Sequence, residues 1–252
     1  HQPKYFLVDL ASEPDWETLR GETPTFPGIE YIQPNYLSTF HIEPNDPLYS
    51  EQFHTMVANP QAWNYSTGSS QVVVGIIDSG CLINHPDLRA NIYINPGEDP
   101  ALGLHDNGID DDGNGYTDDV YGWDFYNNDN TVFDADERDY WGFLNDEHGT
   151  HCAGTIGAAA NNNLGVPGVC WSARIMSLKF IGPEGGYTSG AILAFQYAHS
   201  KGAKVISCSW GGGEYEQSER DAIEATQAIV CCSAGNDGAD NDAYPHYPSS
   251  YD

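Results

Sequence analysis

Positive charge is scarce in this sequence. Nine lysines and arginines stand against 37 aspartates and glutamates, which gives the 252 residues a formal charge of −28 at pH 7. A surface of that sign repels nucleic acid and anionic membranes and selects cations as partners. Sulfur is also sparse, with six cysteines and two methionines. Six cysteines are too few for a disulfide-built scaffold of this length. Cys81, Cys152, Cys170, Cys208, Cys231 and Cys232 lie mostly in apolar runs, so they are expected to pack as small hydrophobes, with one structural disulfide as the alternative. No stretch approaches the roughly 20 apolar residues of a membrane span. The N-terminus lacks the basic and apolar regions of a signal peptide, and upstream sequence is expected before His1.

What is present is material for a core. Hydrophobic residues make up 40% of the chain and aromatics 12%, so the acids do not belong to a disordered tail. The length suits one main domain with a small appendage. In the appendage, residues 5–10 read as a strand, residues 13–19 as a short helix that Ser12 could cap, and residues 29–33 as a second strand. The polar run through Pro34, Pro44 and Pro47 reads as a linker, which sets the expected units at 1–43 and 44–252.

Beyond the linker, Val72-Val73-Val74-Gly75-Ile76-Ile77 is continuously apolar and β-branched, the pattern of a parallel strand buried on both faces. Further strands are expected at 174–180, 204–209 and 228–233, with helices at 148–160, 189–201 and 217–226 between them. That alternation predicts an α/β fold with a doubly wound parallel sheet. Ligands of such sheets bind beyond the carboxyl ends of the strands. The residues to inspect are therefore Asp78, the 181–187 loop, Ser209 to Gly211, and Asn236.

Asp78 ends the first buried strand, where an acid serves either in catalysis or as a turn former. The segment Glu147-His148-Gly149-Thr150-His151-Cys152-Ala153-Gly154 opens a helix rich in small residues, and a histidine in its first turn can face the crevice. Zinc is discounted, because His148 and His151 are three apart with no glutamate between them. A second signal is Asp110-Asp111-Asp112-Gly113-Asn114-Gly115-Tyr116-Thr117-Asp118-Asp119. Oxygen side chains at positions 1, 3, 5 and 9, with glycine at 6, follow the spacing of a calcium loop, in which Tyr116 offers its carbonyl. The glutamate expected at position 12 is replaced by Tyr121, leaving Asp119 as a substitute. A solvated acidic loop is the alternative, although carboxylates clustered without a cation repel one another.

Three motifs in order, Asp78-Ser79-Gly80, His148-Gly149-Thr150-His151-Cys152-Ala153-Gly154 and Ser233-Ala234-Gly235-Asn236, resemble the subtilisin family of serine proteases, in its thermitase-like pattern. The resemblance covers about residues 44–252, and residues 1–43 are similar to the end of the family's inhibitory propeptide, which implies a secreted zymogen. It implies that His148 is the general base and that Asp78 orients and stabilises its imidazolium. Asn236 would donate to the oxyanion, where the plain alternative is a turn residue. Gly185, Gly186 and Tyr187 on one side, and Ser209, Trp210 and Gly211 on the other, would hold a polypeptide substrate as an added strand. A second calcium site is implied for Asp46, Asp87, the Asn162 side chain and the carbonyls of Ala159, Leu164 and Val166, where an ordinary turn is the alternative.

One part of the pattern is missing. The family's Gly-Thr-Ser-Met-Ala motif occurs nowhere in the 252 residues. Ser189 lies before the third strand, and Ser233 precedes Asn236. The expectation is an incomplete domain whose serine comes from the downstream remainder of the same precursor, so that this chain alone is inactive. The alternative is a non-catalytic, calcium-stabilised scaffold.

Overall fold

The computed structural model describes residues 7, 15, 27–34, 42–139 and 141–251. The chain forms two compact units, His1–His41 and Ile42–Asp252. In the first, the expected strand at 5–10 and helix at 13–19 fall almost wholly outside the described residues. Residues 29–33 were expected as a strand but lie in neither strand nor helix, and the segment that would pair with them is not described.

The second unit is built on a parallel sheet of β1 (Val73–Asp78), β2 (Gly122–Asp124), β3 (Arg174–Lys179), β4 (Val205–Cys208) and β5 (Ile229–Cys232). Their spatial order is β2-β3-β1-β4-β5, so the first strand is the central one. From β1 the chain goes first to the edge strand β2, returns inward to β3 and then crosses to the other side of β1 for β4 and β5, which gives the doubly wound arrangement and puts the crevice at the carboxyl end of β1. The strands and helices expected from sequence are found to within a few residues. Among the described strands and α-helices, two are not evident from sequence: β2, too short to show a period, and the five-residue helix α1 (Asn59–Trp63).

The apolar run of β1 is explained by helices on both faces. Val74 and Ile76 point to one face and join Ala153, Ala158 and Ile175 beneath α2 (Glu147–Gly157). Ile77 points to the other and packs with Leu178, Ala191, Ala194, Phe195 and Ile206. That face is covered by α3 (Thr188–Ser200) and α4 (Gln217–Ala225). Fully burying a side chain such as Ile77 stabilises the fold by about 1.5–3 kcal/mol. The strand's last residue is therefore fixed by a rigid core. At the sheet margin β5 pairs with β4 alone among the described strands, and Ile229 is 68% exposed. No described helix is long and apolar enough to cross a membrane.

Candidate active site

Asp78 ends β1 with its carboxylate 1% exposed. Oδ1 accepts a hydrogen bond from the Ser79 backbone N–H at 2.7 Å and lies 2.7 Å from Nδ1 of His148. His148 occupies the first turn of α2, and its side chain is 58% exposed. The hydrogen bond to Asp78 raises the imidazole pKa to about 10, with Cys152 contributing and partial burial opposing. The Nδ1 edge of the ring is thus anchored to a buried carboxyl group while the rest stays open to solvent. That is the requirement for a base that exchanges protons with a substrate.

The approach of helix to strand depends on glycine. A Cβ on Gly149 would sit 2.2 Å from the Gly80 carbonyl oxygen and 3.0 Å from Asp78 Oδ1. With only hydrogen there, the Gly149 N–H reaches Ser79 Oγ at 3.1 Å, and that hydroxyl donates to the Asn145 carbonyl at 3.0 Å. Cys152, one helical turn beyond His148, brings its Sγ to 4.0 Å from Nδ1. Sequence spacing of i and i+4 on a helix could have shown this proximity.

A cleft of about 410 Å³ opens beside the pair, lined by Asp78, His148, Asn145, Phe143 and Ile181. A second cleft of equal volume, between α4 and β5, is lined by Ile223, Val230 and Tyr251 and contains neither member of the pair. The parallel register sets Asp78 level with Lys179, and Ile77 level with Cys208 and hence Cys232. Ser209, Trp210, Gly211 and Asn236 therefore follow their strands at the same sheet edge as Asp78. Trp210 donates its indole N–H to the Ile77 carbonyl at 2.8 Å and packs edge-on against Phe180. Gly182 and Gly185 exchange two backbone hydrogen bonds, which fold the 182–185 turn, and Tyr187 after it is 80% exposed. Asn236 is exposed in the loop after β5. The Tyr247–Pro248 peptide bond is cis.

Of the acidic loop, the structure brings together Asp110 and Asp112, joined by Glu98, with one carboxylate oxygen of each within 4.8 Å of the others. Glu98 is fully buried; its Oε1 accepts from the Asp111 N–H at 2.8 Å, and its Oε2 has no partner among the described residues. Burial raises its pKa. Asp112 is also paired with Lys201 and accepts from Asn95 Nδ2, and Asp110 accepts from the Asn114 and Gly115 N–H groups. The remaining expected ligands have other engagements as well. Asn114 Oδ1 accepts from the Tyr116 N–H, Asp118 accepts from the N–H groups of Asn107 and Gly108, and Asp119 receives Asn95, Asn114, Tyr197 and Lys201. The Tyr116 ring belongs to an aromatic cluster with Trp123, Phe125 and Tyr197.

Of the second set, the structure places Asp46 and Asp87 against the 159–166 loop. Asp46 and Asp87 are each 4% exposed. Asp46 Oδ2 accepts from the Asn161 N–H at 2.8 Å, and its Oδ1 is buried without a partner among the described residues. Asp87 accepts from Asn162 Nδ2 at 2.6 Å and from the Val166 N–H at 3.0 Å, while the Ala159 N–H donates to its backbone carbonyl. Leu164 donates its N–H to Asn162 Oδ1. All six cysteines are free: Cys81 and Cys208 are buried, and Cys231 is exposed.

Comparison with known proteins agrees with this geometry. The profile of the Subtilase family matches residues 69–252. Thermitase of Thermoactinomyces vulgaris is 30% identical over 214 residues, covering 82% of this chain and 62% of thermitase. An intracellular serine protease of Paenibacillus polymyxa is 33% identical, covering 78% of this chain and 51% of the relative. An extracellular basic protease of Dichelobacter nodosus is 30% identical, covering 89% and 39%. Among solved structures, a protease from Pseudoalteromonas arctica superposes with a TM-score of 0.56 at 30% identity, covering 77% of this chain and 59% of that one. The chain thus spans between 39% and 62% of the length of these curated relatives. With the sheet order, the Asp78–His148 pair and the matched profile in agreement, this chain belongs to the subtilase family of serine proteases.

Proposed function

We propose that this chain forms the part of a subtilisin-type serine endopeptidase that holds the acid–base pair, the oxyanion donor and the substrate strands. The supporting observation is the 2.7 Å contact between buried Asp78 and solvent-open His148. In its neutral form, with Nδ1–H donated to Asp78, His148 would take the proton of a serine hydroxyl through Nε2 and then pass it to the leaving amine. Asp78 would hold the imidazole by Nδ1 and stabilise the imidazolium. Asn236 would donate its side-chain amide to the oxyanion, a contact whose loss adds roughly 3–4 kcal/mol to the barrier in subtilisin itself. The polypeptide substrate would lie between Gly185-Gly186-Tyr187 and Ser209-Trp210-Gly211. The nucleophile would come from the downstream remainder of the same precursor, since the 252 residues hold no Gly-Thr-Ser-Met-Ala motif.

Calcium fits two places. Glu98, Asp110 and Asp112 offer hard oxygen donors, and the orphaned Glu98 Oε2 lacks a partner that a cation would supply. Asp46 Oδ1 is orphaned in the same way beside Asp87 and the 159–166 loop. Bound calcium would supply charge neutralisation and lock these loops. Secretion and a propeptide-like role for residues 1–43 belong to the same reading. The Dichelobacter relative is named extracellular, although the Paenibacillus one is named intracellular.

A fluorophosphonate probe, applied to native material with calcium present and read by intact mass, tests the proposal. Labelling is expected on a serine beyond Asp252 and lost on His148→Ala. Absence of labelling at any serine would favour the alternative, a calcium-stabilised scaffold without catalysis.

A further inference from the structure

Lys179 is the last residue of β3, level with Asp78 on β1, and its side chain is completely buried. Its ammonium group meets four oxygens from separate parts of the chain. Nζ lies 3.1 Å from the Ser79 carbonyl oxygen, 2.6 Å from Asp146 Oδ1, 2.7 Å from Glu137 Oε2 and 3.3 Å from Asp134 Oδ2. Burial opposes the charged form, but the bonds to Asp146 and Glu137 outweigh it, and the net pKa is raised. The lysine is thus held as a cation.

The location of these partners is what gives the cluster meaning. Ser79 follows Asp78 directly, and Asp146 precedes His148 by two residues at the start of α2. Asp146 is fully buried; its Oδ2 accepts from the Asp134 N–H at 2.7 Å and its Oδ1 from Asn145 Nδ2 at 3.1 Å. One cation therefore ties the strand end that carries the acid to the helix start that carries the histidine. An apolar residue of the same volume would fill the space but could not draw Asp146 and the Ser79 carbonyl toward one point. We propose that Lys179 is a positioning residue: its ammonium clamps Ser79 to Asp146 and so sets the register of β1 and α2 in which Asp78 meets His148. This rests on the reading of Asp78 and His148 as an acid–base pair.

Charge and position make opposite predictions, which separates them. If Lys179 acted only as a nearby cation, its loss would leave Asp134, Glu137 and Asp146 less balanced and would raise the His148 titration midpoint. If it positions the pair, its loss weakens the Asp78 bond and lowers that midpoint. The groups facing His148 are Asp78 from β1, Cys152 and Glu147 from its own helix, and Asp139 across the cleft. The experiment is an NMR titration of the His148 ring in the 252-residue chain, assigned with His148→Ala, for the parent, Lys179→Met and the double variant Lys179→Met/Asp146→Asn. The double variant removes both buried charges and guards against loss of fold from an unpaired Asp146. The expected result is a midpoint at least one pH unit lower in whichever variant folds. A midpoint unchanged or raised in a folded variant overturns the proposal, as does unfolding of both variants, which would make Lys179 a residue of global stability. An Asp78→Asn variant whose His148 midpoint equals that of the parent would instead refute the Asp78–His148 pair itself.

Discussion

Two glycines on one helix should respond to the same substitution with opposite sign. Gly149 and Gly154 both lie inside α2, where replacing glycine by alanine ordinarily stabilises a helix by about 1 kcal/mol. At Gly154 a new Cβ would meet nothing within 4 Å, so Gly154→Ala should deliver about that gain. At Gly149 the Cβ would stand 2.2 Å from the Gly80 carbonyl oxygen, about 1 Å short of the tightest ordinary contact. The obstacle is backbone rather than the end of a flexible side chain, so helix and strand must separate. Overpacking of this kind costs about 1–3 kcal/mol, and loss of the Gly149 N–H bond to Ser79 Oγ adds about 1 kcal/mol.

Set against the helix gain, Gly149→Ala should destabilise by roughly 1–3 kcal/mol, or roughly 2–12 °C in Tm for a chain of this size. Urea unfolding followed by circular dichroism measures both variants. Separation of α2 from β1 also lengthens the Asp78–His148 contact, so the His148 titration midpoint should drop in Gly149→Ala and stay put in Gly154→Ala. A Gly149→Ala protein as stable as the parent, with its midpoint unmoved, would refute the close-approach argument.

Other outcomes can be checked directly. Asp78→Asn removes the main cause of the raised His148 pKa, so its midpoint should fall from about 10 toward the ordinary imidazole value, as ring proton shifts would show. By linkage, a histidine with a raised folded pKa contributes stability that is fully present below about pH 6.5 and is lost as pH rises through about 10. With the ring more than half exposed, screening limits that loss to about 1 kcal/mol, and unfolding of Asp78→Asn should show a flatter pH profile over the same window. Calcium at 100 times its Kd should stabilise the folded chain by about 2.7 kcal/mol. Differential scanning fluorimetry should show a Tm rise that shrinks in Glu98→Gln and in Asp46→Asn, and an equal rise in the parent and both variants would exclude these two sites.

The parts of this molecule that could be read along the chain are those whose physics is local. A strand covered on both faces is rich in apolar residues on both, so β1, β3 and β4 stand out as mostly apolar runs. A histidine at the start of a glycine-rich helix carries its own signature in Gly149. β2 has only three residues, and its Trp123 and Asp124 make sense only when paired with Leu178 and Lys179. The acidic loop shows the boundary clearly. Its spacing offers Asp110, Asp112, Asp118 and Asp119 alike, whereas in the fold Asp110 and Asp112 come together with Glu98 while Asp118 and Asp119 accept from Asn107, Gly108, Asn95 and Asn114. Glu98 takes the nearby place from twelve residues upstream of Asp110, with no local pattern to mark it.

Lys179 lies furthest from any sequence rule. In a strand that reads apolar, a terminal lysine is expected to snorkel to solvent, since burying an ammonium without partners is prohibitive. It stays inside because three carboxylates and a carbonyl arrive from residues 79, 134, 137 and 146, and none of those separations repeats a helical or strand period. The large excess of acid therefore has several fates in one fold: part is solvated at the surface, part is buried in the loops of Asp46, Asp87, Glu98 and Asp119, and Asp134, Glu137 and Asp146 gather around one lysine. Neutralising surface acids such as Glu184 or Glu214 should leave the His148 titration almost unmoved, since charges in solvent are screened within about 10 Å at 0.1 M salt. Glu137→Gln, which removes one partner of Lys179 while leaving the cation and Asp146 in place, should lower the midpoint by a smaller step than Lys179→Met. Equal responses to the surface and buried substitutions would mean that net charge, and not the clamp, governs the histidine.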